Sequence, residues 1–337
     1  MIVIDGSQGE GGGQILRNAL ALSLITGQPF RIHSIRAGRE RPGLMRQHLT
    51  AIEAATAIGS ATCDGAGIGA ADITFRPGAV KGGHYHFAVG TAGSAGLVLQ
   101  TILLPLAVAD APSRLVLEGG THNPQAPPFE FLERCLLPLI NRMGPRVVAR
   151  LVRHGFYPLG GGRMEIDITP SPLRRQECRN RGGLKATRVT ALVAGLSWDI
   201  AKREIETVRK VLEWPEDKFH IEQLPEDRGP GNVLLLEAMF EDVTEIVTGF
   251  GKLGVSAESL AKTAVARMSG YLASTAFAGP YLADQLILPF ALAGGGTFTT
   301  VKPSNHTRTA MDITAMFLDR KWRIETQPDG THLVSVR

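Results

Sequence analysis

The stretch Gly13-Gln14-Ile15-Leu16-Arg17-Asn18, continuing to Gly27-Gln28-Pro29-Phe30-Arg31, is written three times in this 337-residue chain. The second copy runs from Gly96-Leu97-Val98-Leu99-Gln100-Thr101 to Asp110-Ala111-Pro112-Ser113-Arg114. The third runs from Pro280-Tyr281-Leu282-Ala283-Asp284-Gln285 to Gly294-Gly295-Gly296-Thr297-Phe298. The copies align without a gap, and Pro105 falls on Pro289. Each is an apolar helix, then a tight turn, then a β-rich stretch. Such a repeat means one supersecondary unit used three times. Each copy has one polar side chain at the same place: Arg17, Gln100 and Asp284. Buried polar groups are costly without partners, so three at equivalent positions suggest one shared polar site.

Working outward, unit one predicts strand 2–4, helix 14–25, strand 30–35, helix 43–58 and strands near 61–64 and 72–76. Unit two predicts strand 84–88, helix 94–109, strand 114–118, helix 128–143 and strands near 146–152 and 163–168. Unit three predicts helix 280–293, strand 297–301, helix 306–318 and strands 321–326 and 331–336, with its first strand displaced to about 173–181. The expected fold is α/β (α+β): three β-α-β-α-β-β units whose helices pack on one sheet face. Residues 185–279 then form a smaller α/β domain inserted before the third unit's helix. In it the pattern predicts strands 188–195, 233–240 and 244–249 and helices 200–212 and 257–277. Residues 1–184 and 280–337 form the large domain that holds the active site.

The composition is that of a soluble globular protein, 44% hydrophobic and 20% charged. No apolar run reaches transmembrane length, and Met1-Ile2-Val3-Ile4 meets Asp5 at once, which argues against a signal peptide. Cys63, Cys135 and Cys178 lack metal-ligand spacing, so a reducing cytoplasm is the expected location. A formal charge of +4 permits a nucleic-acid partner without demanding one.

The residues able to do chemistry cluster at unit junctions. Gly9-Glu10-Gly11-Gly12-Gly13 opens the first helix, where free N–H groups and the helix dipole attract anions. A Gly-rich turn also serves plain chain reversal. It is neither a dinucleotide fingerprint nor a P-loop. Glu10 among prospective phosphates makes sense with a magnesium ion between them. Arg36-Ala37-Gly38-Arg39-Glu40-Arg41-Pro42-Gly43, followed by Gln47-His48, is a basic cluster at a strand end and helix start, suited to phosphate. The loop Gly119 to Pro128 follows a strand and belongs at the same edge. The turn around His154 and Gly160-Gly161-Gly162 reads as a structural hairpin. In Pro303-Ser304-Asn305-His306-Thr307, His306 sits at a strand-to-helix junction, near the repeat position of the basic cluster. A neutral imidazole there can act as nucleophile or general base.

Taken together, these segments resemble the RNA 3′-terminal phosphate cyclase family over nearly the whole chain. The matching text is Gln8 to Arg17, Arg36 to Arg39 with Pro42-Gly43-Leu44 and Gln47-His48, His154 to Pro158 with Gly160 to Gly162, Tyr281 to Gln285, and Pro303-Ser304 with His306. The resemblance is weakest in the insert and in 171–183. It implies an ATP-dependent enzyme that turns an RNA 3′-phosphate end into a 2′,3′-cyclic phosphate. In that family a histidine attacks the α-phosphate of ATP and carries AMP, AMP passes to the RNA phosphate, and the 2′-hydroxyl closes the ring. His306 matches the nucleophile. Gln100, Pro127, Tyr281, Leu282, Ala283, Asp284 and Gln285 would surround ATP. Arg17, Arg36, Arg39, Gln47 and His48 would hold phosphates of ATP or the RNA end. Glu10, with Asp284, would hold a divalent metal, Mg or Mn. The family often has Thr-Asn after the histidine, whereas here Ala310 follows Thr309. Two other readings compete: a catalytically inert relative that assists ribosome assembly, and an enolpyruvyl-transferase-like enzyme built on similar repeats.

Overall fold

A computed structural model describes all 337 residues and contains four four-stranded sheets. Unit one comprises β1 (Ile2–Asp5), α1 (Gly13–Thr26), β2 (Phe30–His33), α2 (Arg46–Gly59), β3 (Thr62–Asp64) and β4 (Ile73–Arg76). Its strands lie in the order β1-β2-β4-β3; β1 and β2 are parallel and the other pairs antiparallel. Unit two repeats this with β5 (His84–Ala88), α3 (Ala95–Ala107), β6 (Ser113–Gly119), a helix α4 over 129–142, β7 (Arg146–Arg153) and β8 (Gly162–Thr169). Its order is β5-β6-β8-β7, again with only the first pair parallel. The third unit starts at β9 (Gln176–Cys178).

The chain then leaves for a fourth sheet: β10 (Leu184–Ala194), α5 (Trp198–Arg209), β11 (Phe219–Leu224), β12 (Gly231–Phe240), β13 (Thr244–Phe250) and α6 (Ala257–Ala273). It returns as α7 (Pro280–Leu292), β14 (Gly296–Thr300), α8 (Asn305–Phe317), β15 (Trp322–Thr326) and β16 (His332–Val336). The resulting order β9-β14-β16-β15 matches the other two units. The β-α-β-α-β-β reading therefore holds for all three.

The structure adds one strand and moves several boundaries. β11 was not expected; its residues are only partly buried or exposed, and its apolar alternation, Phe219 to Glu222, is short. The second helix of unit one starts at Arg46 rather than at 43, because Arg36 Nη1 donates to Gly43 O at 2.7 Å and ties that segment into a loop. The long helix of the fourth unit ends at Ala273, ahead of the expected 277. Within α4, the stretch Leu132–Leu136 is π-helical, a form of helix found often at functional sites.

Burial explains the packing. α1 and α3 are apolar nearly all round, as fits helices enclosed by others. α1 packs on α2, α3 and α8, and α7 packs on α8. β12 is buried on both faces: Val233 and Leu235 join the main core, while Leu234, Leu236 and Ala238 join a separate cluster under α5 and α6. The fourth sheet thus has a core of its own and also seats its other face on the large body.

Candidate active site

The N-terminal ends of α1, α3, α7 and α8 border a single cavity of about 1250 Å³. Arg17, Gln100 and Asp284 all line it, so the repeat-equivalent polar positions do meet. Glu10, Arg36, Arg39, Gln47, His48, Pro127, Tyr281, Gln285 and His306 line it as well. Leu282 and Ala283 do not; both are completely buried in the main core. Their side chains pack α7 rather than face a ligand.

The Gly-rich entry brings groups within contact distance that a side chain would separate. A Cβ on Gly12 would strike the Glu10 carboxylate and Arg39, and one on Gly13 would strike His48. With glycine there, Glu10 folds onto Arg39 as a charge-assisted pair. Its second oxygen, Oε2, is buried without any hydrogen-bond partner. The backbone N–H of Glu10 donates to Thr309 Oγ1 at 2.9 Å, tying this loop to α8.

His306 sits on the first turn of α8, whose N-cap Ser304 accepts from Thr307 N at 3.0 Å. Asp284 reinforces that turn: its Oδ1 accepts from Ser304 Oγ at 2.6 Å and from Thr307 Oγ1 at 2.5 Å. Burial pushes the Asp284 carboxyl up to about 6, against the pull of those hydroxyls. His306 Nδ1 lies 3.0 Å from Gln14 Oε1, an acceptor only, so Nδ1 carries the proton. The lone pair is then on Nε2, 3.8 Å from Glu10 Oε1. Burial, with Arg17 and Arg39 nearby, lowers the His306 pKa, so the imidazole is neutral near pH 7.

Around it stand cations with few internal obligations. Arg17 forms no ion pair or side-chain hydrogen bond within the chain; burial lowers it to about 10, still charged at neutral pH. Arg36 adopts a left-handed backbone (φ 56°), uncommon for a non-glycine residue. His48 accepts from Met45 N at 3.0 Å through Nδ1, and burial with Arg17 and Arg36 holds its pKa down at about 3. It is a neutral group at any physiological pH. Gln47 Oε1 accepts from Ser94 N at 3.0 Å, and Gln100 Nε2 donates to Gln285 Oε1 at 2.6 Å.

Some lining residues escaped the sequence reading. Gln14 and Asn18 share the Arg17 face of α1 at helical spacing, and the Asn18 amide nitrogen is buried without a partner. Polar residues at 14, 17 and 18 of an apolar helix were a readable signal. Ile246, Thr248 and Phe250 of β13 and Arg267 of α6 complete the far wall. No local motif marks them, because they arrive from the fourth sheet.

Comparison with known proteins gives the family. A family model described as RNA 3′-terminal phosphate cyclase matches residues 8–324. A protein of that name from Koribacter versatilis is 51% identical over 328 residues, covering 97% of this chain and 92% of its own length. Another of that name, from Ectopseudomonas mendocina, is 51% identical over 318 residues, covering 94% of this chain and 93% of its own. The chain belongs to the RNA 3′-terminal phosphate cyclase family.

Proposed function

We propose that this enzyme carries out the family's ATP-dependent cyclisation through a covalent adenylate on His306. The observation that carries this reading is a neutral imidazole, held by Gln14, between Glu10 and the cations Arg17 and Arg39. Nε2 attacks the α-phosphorus of ATP and pyrophosphate leaves, giving a histidine–AMP adduct. Arg17, Arg36 and Arg39 offset charge on the phosphates as it grows. The 3′-phosphate oxygen of the RNA then takes AMP from His306. The neighbouring 2′-hydroxyl attacks the activated phosphorus, AMP leaves, and a 2′,3′-cyclic phosphate remains. Positioning and charge neutralisation supply the catalysis.

Tyr281, Pro127, Gln100 and Gln285 surround the nucleotide in this reading, and Gln47 and His48 support the phosphates. Glu10 is the residue suited to hold Mg or Mn, since its buried, unpartnered Oε2 is a hard oxygen donor. Such an ion would neutralise charge on phosphate oxygens. Asp284 supports the site through α8, with its Oδ1 given to two hydroxyls.

The organisation we propose is a large domain, 1–184 with 280–337, and an inserted domain, 185–279; the separate cluster under α5 and α6 supports it. Buried free Cys135 and Cys178 support work in a reducing cytoplasm. No helix is long and apolar enough to cross a membrane. An inert assembly factor or an enolpyruvyl transferase has no use for a nucleophilic imidazole in this setting.

The test is incubation with ATP labelled at the α-phosphate, with magnesium or manganese, followed by denaturing electrophoresis. We expect an acid-labile, alkali-stable labelled band, absent in His306→Ala and His306→Asn, both folded. A band that survives either substitution would remove His306 from the nucleophile's role.

A further inference from the structure

Behind one wall of the cavity lies a second group of chemistry-bearing side chains that the cyclisation does not use. His122 follows β6, Glu130 is in the first turn of α4, and His154 follows β7. One donor atom from each falls within 4.8 Å of the others. None of the three lines the cavity, although Asn123 to Pro128, between the first two, do. His122 is 1% exposed and Glu130 7%.

We propose that His122, Glu130 and His154 form a metal site for a zinc-class divalent ion, which clamps the loop 120–128 to the end of β7. Two imidazoles and a carboxylate are a donor set that zinc favours. It differs in kind from the oxygen site at Glu10, which suits Mg or Mn. The ring centroids of His122 and His154 are 5.1 Å apart. Two imidazoles on one tetrahedral zinc, with bonds of ~2.0–2.1 Å, sit at about that separation. His154 makes no hydrogen bond within the protein, so its ring nitrogens are free for a ligand. Burial lowers the His154 pKa to about 4. Burial alone would raise Glu130, but the charge and hydrogen bond of His122 hold it at about 2. An ionised carboxylate and a neutral imidazole are the protonation states that metal binding requires.

The metal-free arrangement is also satisfied, which defines what binding must change. Thr121 Oγ1 lies 2.8 Å from His122 Nδ1, and His122 Nε2 lies 2.8 Å from Glu130 Oε2. There Nε2–H of His122 donates to Glu130. For a metal to take Nε2, the proton on that nitrogen leaves and Nδ1–H donates to Thr121 Oγ1. The Thr121 hydroxyl hydrogen then turns to Gly155 O, 3.4 Å away, while Gly155 N still donates to Oγ1 at 2.9 Å. A second-neighbour acceptor that fixes the metal-ready tautomer is usual at histidine sites.

The test uses the full chain, stripped with a chelator and titrated with Co²⁺ without ATP. We expect one equivalent to give the intense visible bands of tetrahedral or five-coordinate cobalt, bleached by Zn²⁺. They should persist in Glu10→Gln and vanish in His154→Ala, a half-buried residue with no hydrogen bond to lose. Zn²⁺ should also raise the melting temperature of the wild type and not of His154→Ala. Absence of intense bands would overturn the site, leaving a hydrogen-bonded His122–Glu130 pair. Bands lost in Glu10→Gln but kept in His154→Ala would place the cobalt with Glu10 and equally overturn it.

Discussion

Gln14 is the residue on which the site's chemistry turns, because it decides which imidazole nitrogen of His306 holds the lone pair. Gln14→Leu removes the acceptor and should slow self-adenylylation at least about tenfold, equal to ~1.4 kcal/mol. Gln14→Glu keeps an acceptor and adds a negative charge, which should raise the imidazole pKa. The sign follows from the nucleophile being the neutral form. In the wild type the His306 pKa is depressed below its ordinary 6.5, so the acid limb of the first step lies below that pH. In Gln14→Glu that acid limb should move upward. Equal losses in both variants, with no displacement of the limb, would reduce Gln14 to packing. Thr309 gives a simpler case. Thr309→Val deletes the acceptor for Glu10 N and should cost about 1 kcal/mol of stability by thermal melting. Ala310, the departure from the family's usual asparagine, is fully buried in the main core.

At the scale of elements, one buried hydrogen bond ties the fourth sheet to the start of α7. Glu245 on β13 is 1% exposed and accepts from Gly279 N, at the start of α7, at 2.9 Å. Burial raises its pKa to about 8. The folded chain therefore binds a proton there that the unfolded chain, near 4.5, has already lost. Stability should fall as pH rises from about 4.5 through 8. Glu245→Gln should be similar to the wild type near pH 4 and more stable at pH 7 and above, by denaturant melts at pH 4 and pH 7. No window of sequence contains this link, for Glu245 and Gly279 are far apart along the chain. The three repeats were legible because each helix is apolar for three turns or more and ends at a clear turn. β11 was not, since the alternation of Phe219-His220-Ile221-Glu222 lasts four residues and breaks at Gln223. The π-helical stretch in α4 was equally hidden, because it changes hydrogen bonding and not apolar spacing. Within the site, Arg17, Gln100 and Asp284 could be found by aligning the copies. Gln14 lies one helical turn before Arg17, and only the packing of α8 on α1 shows that it meets His306.

For the whole molecule, the placement of cations predicts how RNA is held. Five arginines (Arg17, Arg36, Arg39, Arg46 and Arg267) line the cavity, and the formal charge is only +4. Affinity for a 3′-phosphorylated oligonucleotide should therefore depend on salt weakly. With two to four phosphates contacted, the log–log slope should be about −1.5 to −3. Removal of the terminal phosphate should weaken binding more than shortening of the strand, by fluorescence anisotropy. A slope near −7 would mean a long basic track instead. The threefold repeat has a wider consequence. Three identical subunits around one hollow would each contribute the same side chain, and a centre of three arginines or three acids could not serve this reaction. Joined in a single polypeptide, the copies drifted independently, one to a cation, one to an amide and one to an acid. Covalent continuity is what freed this centre from symmetry. It also implies that a chain cut between units should regain activity only when all its fragments are mixed.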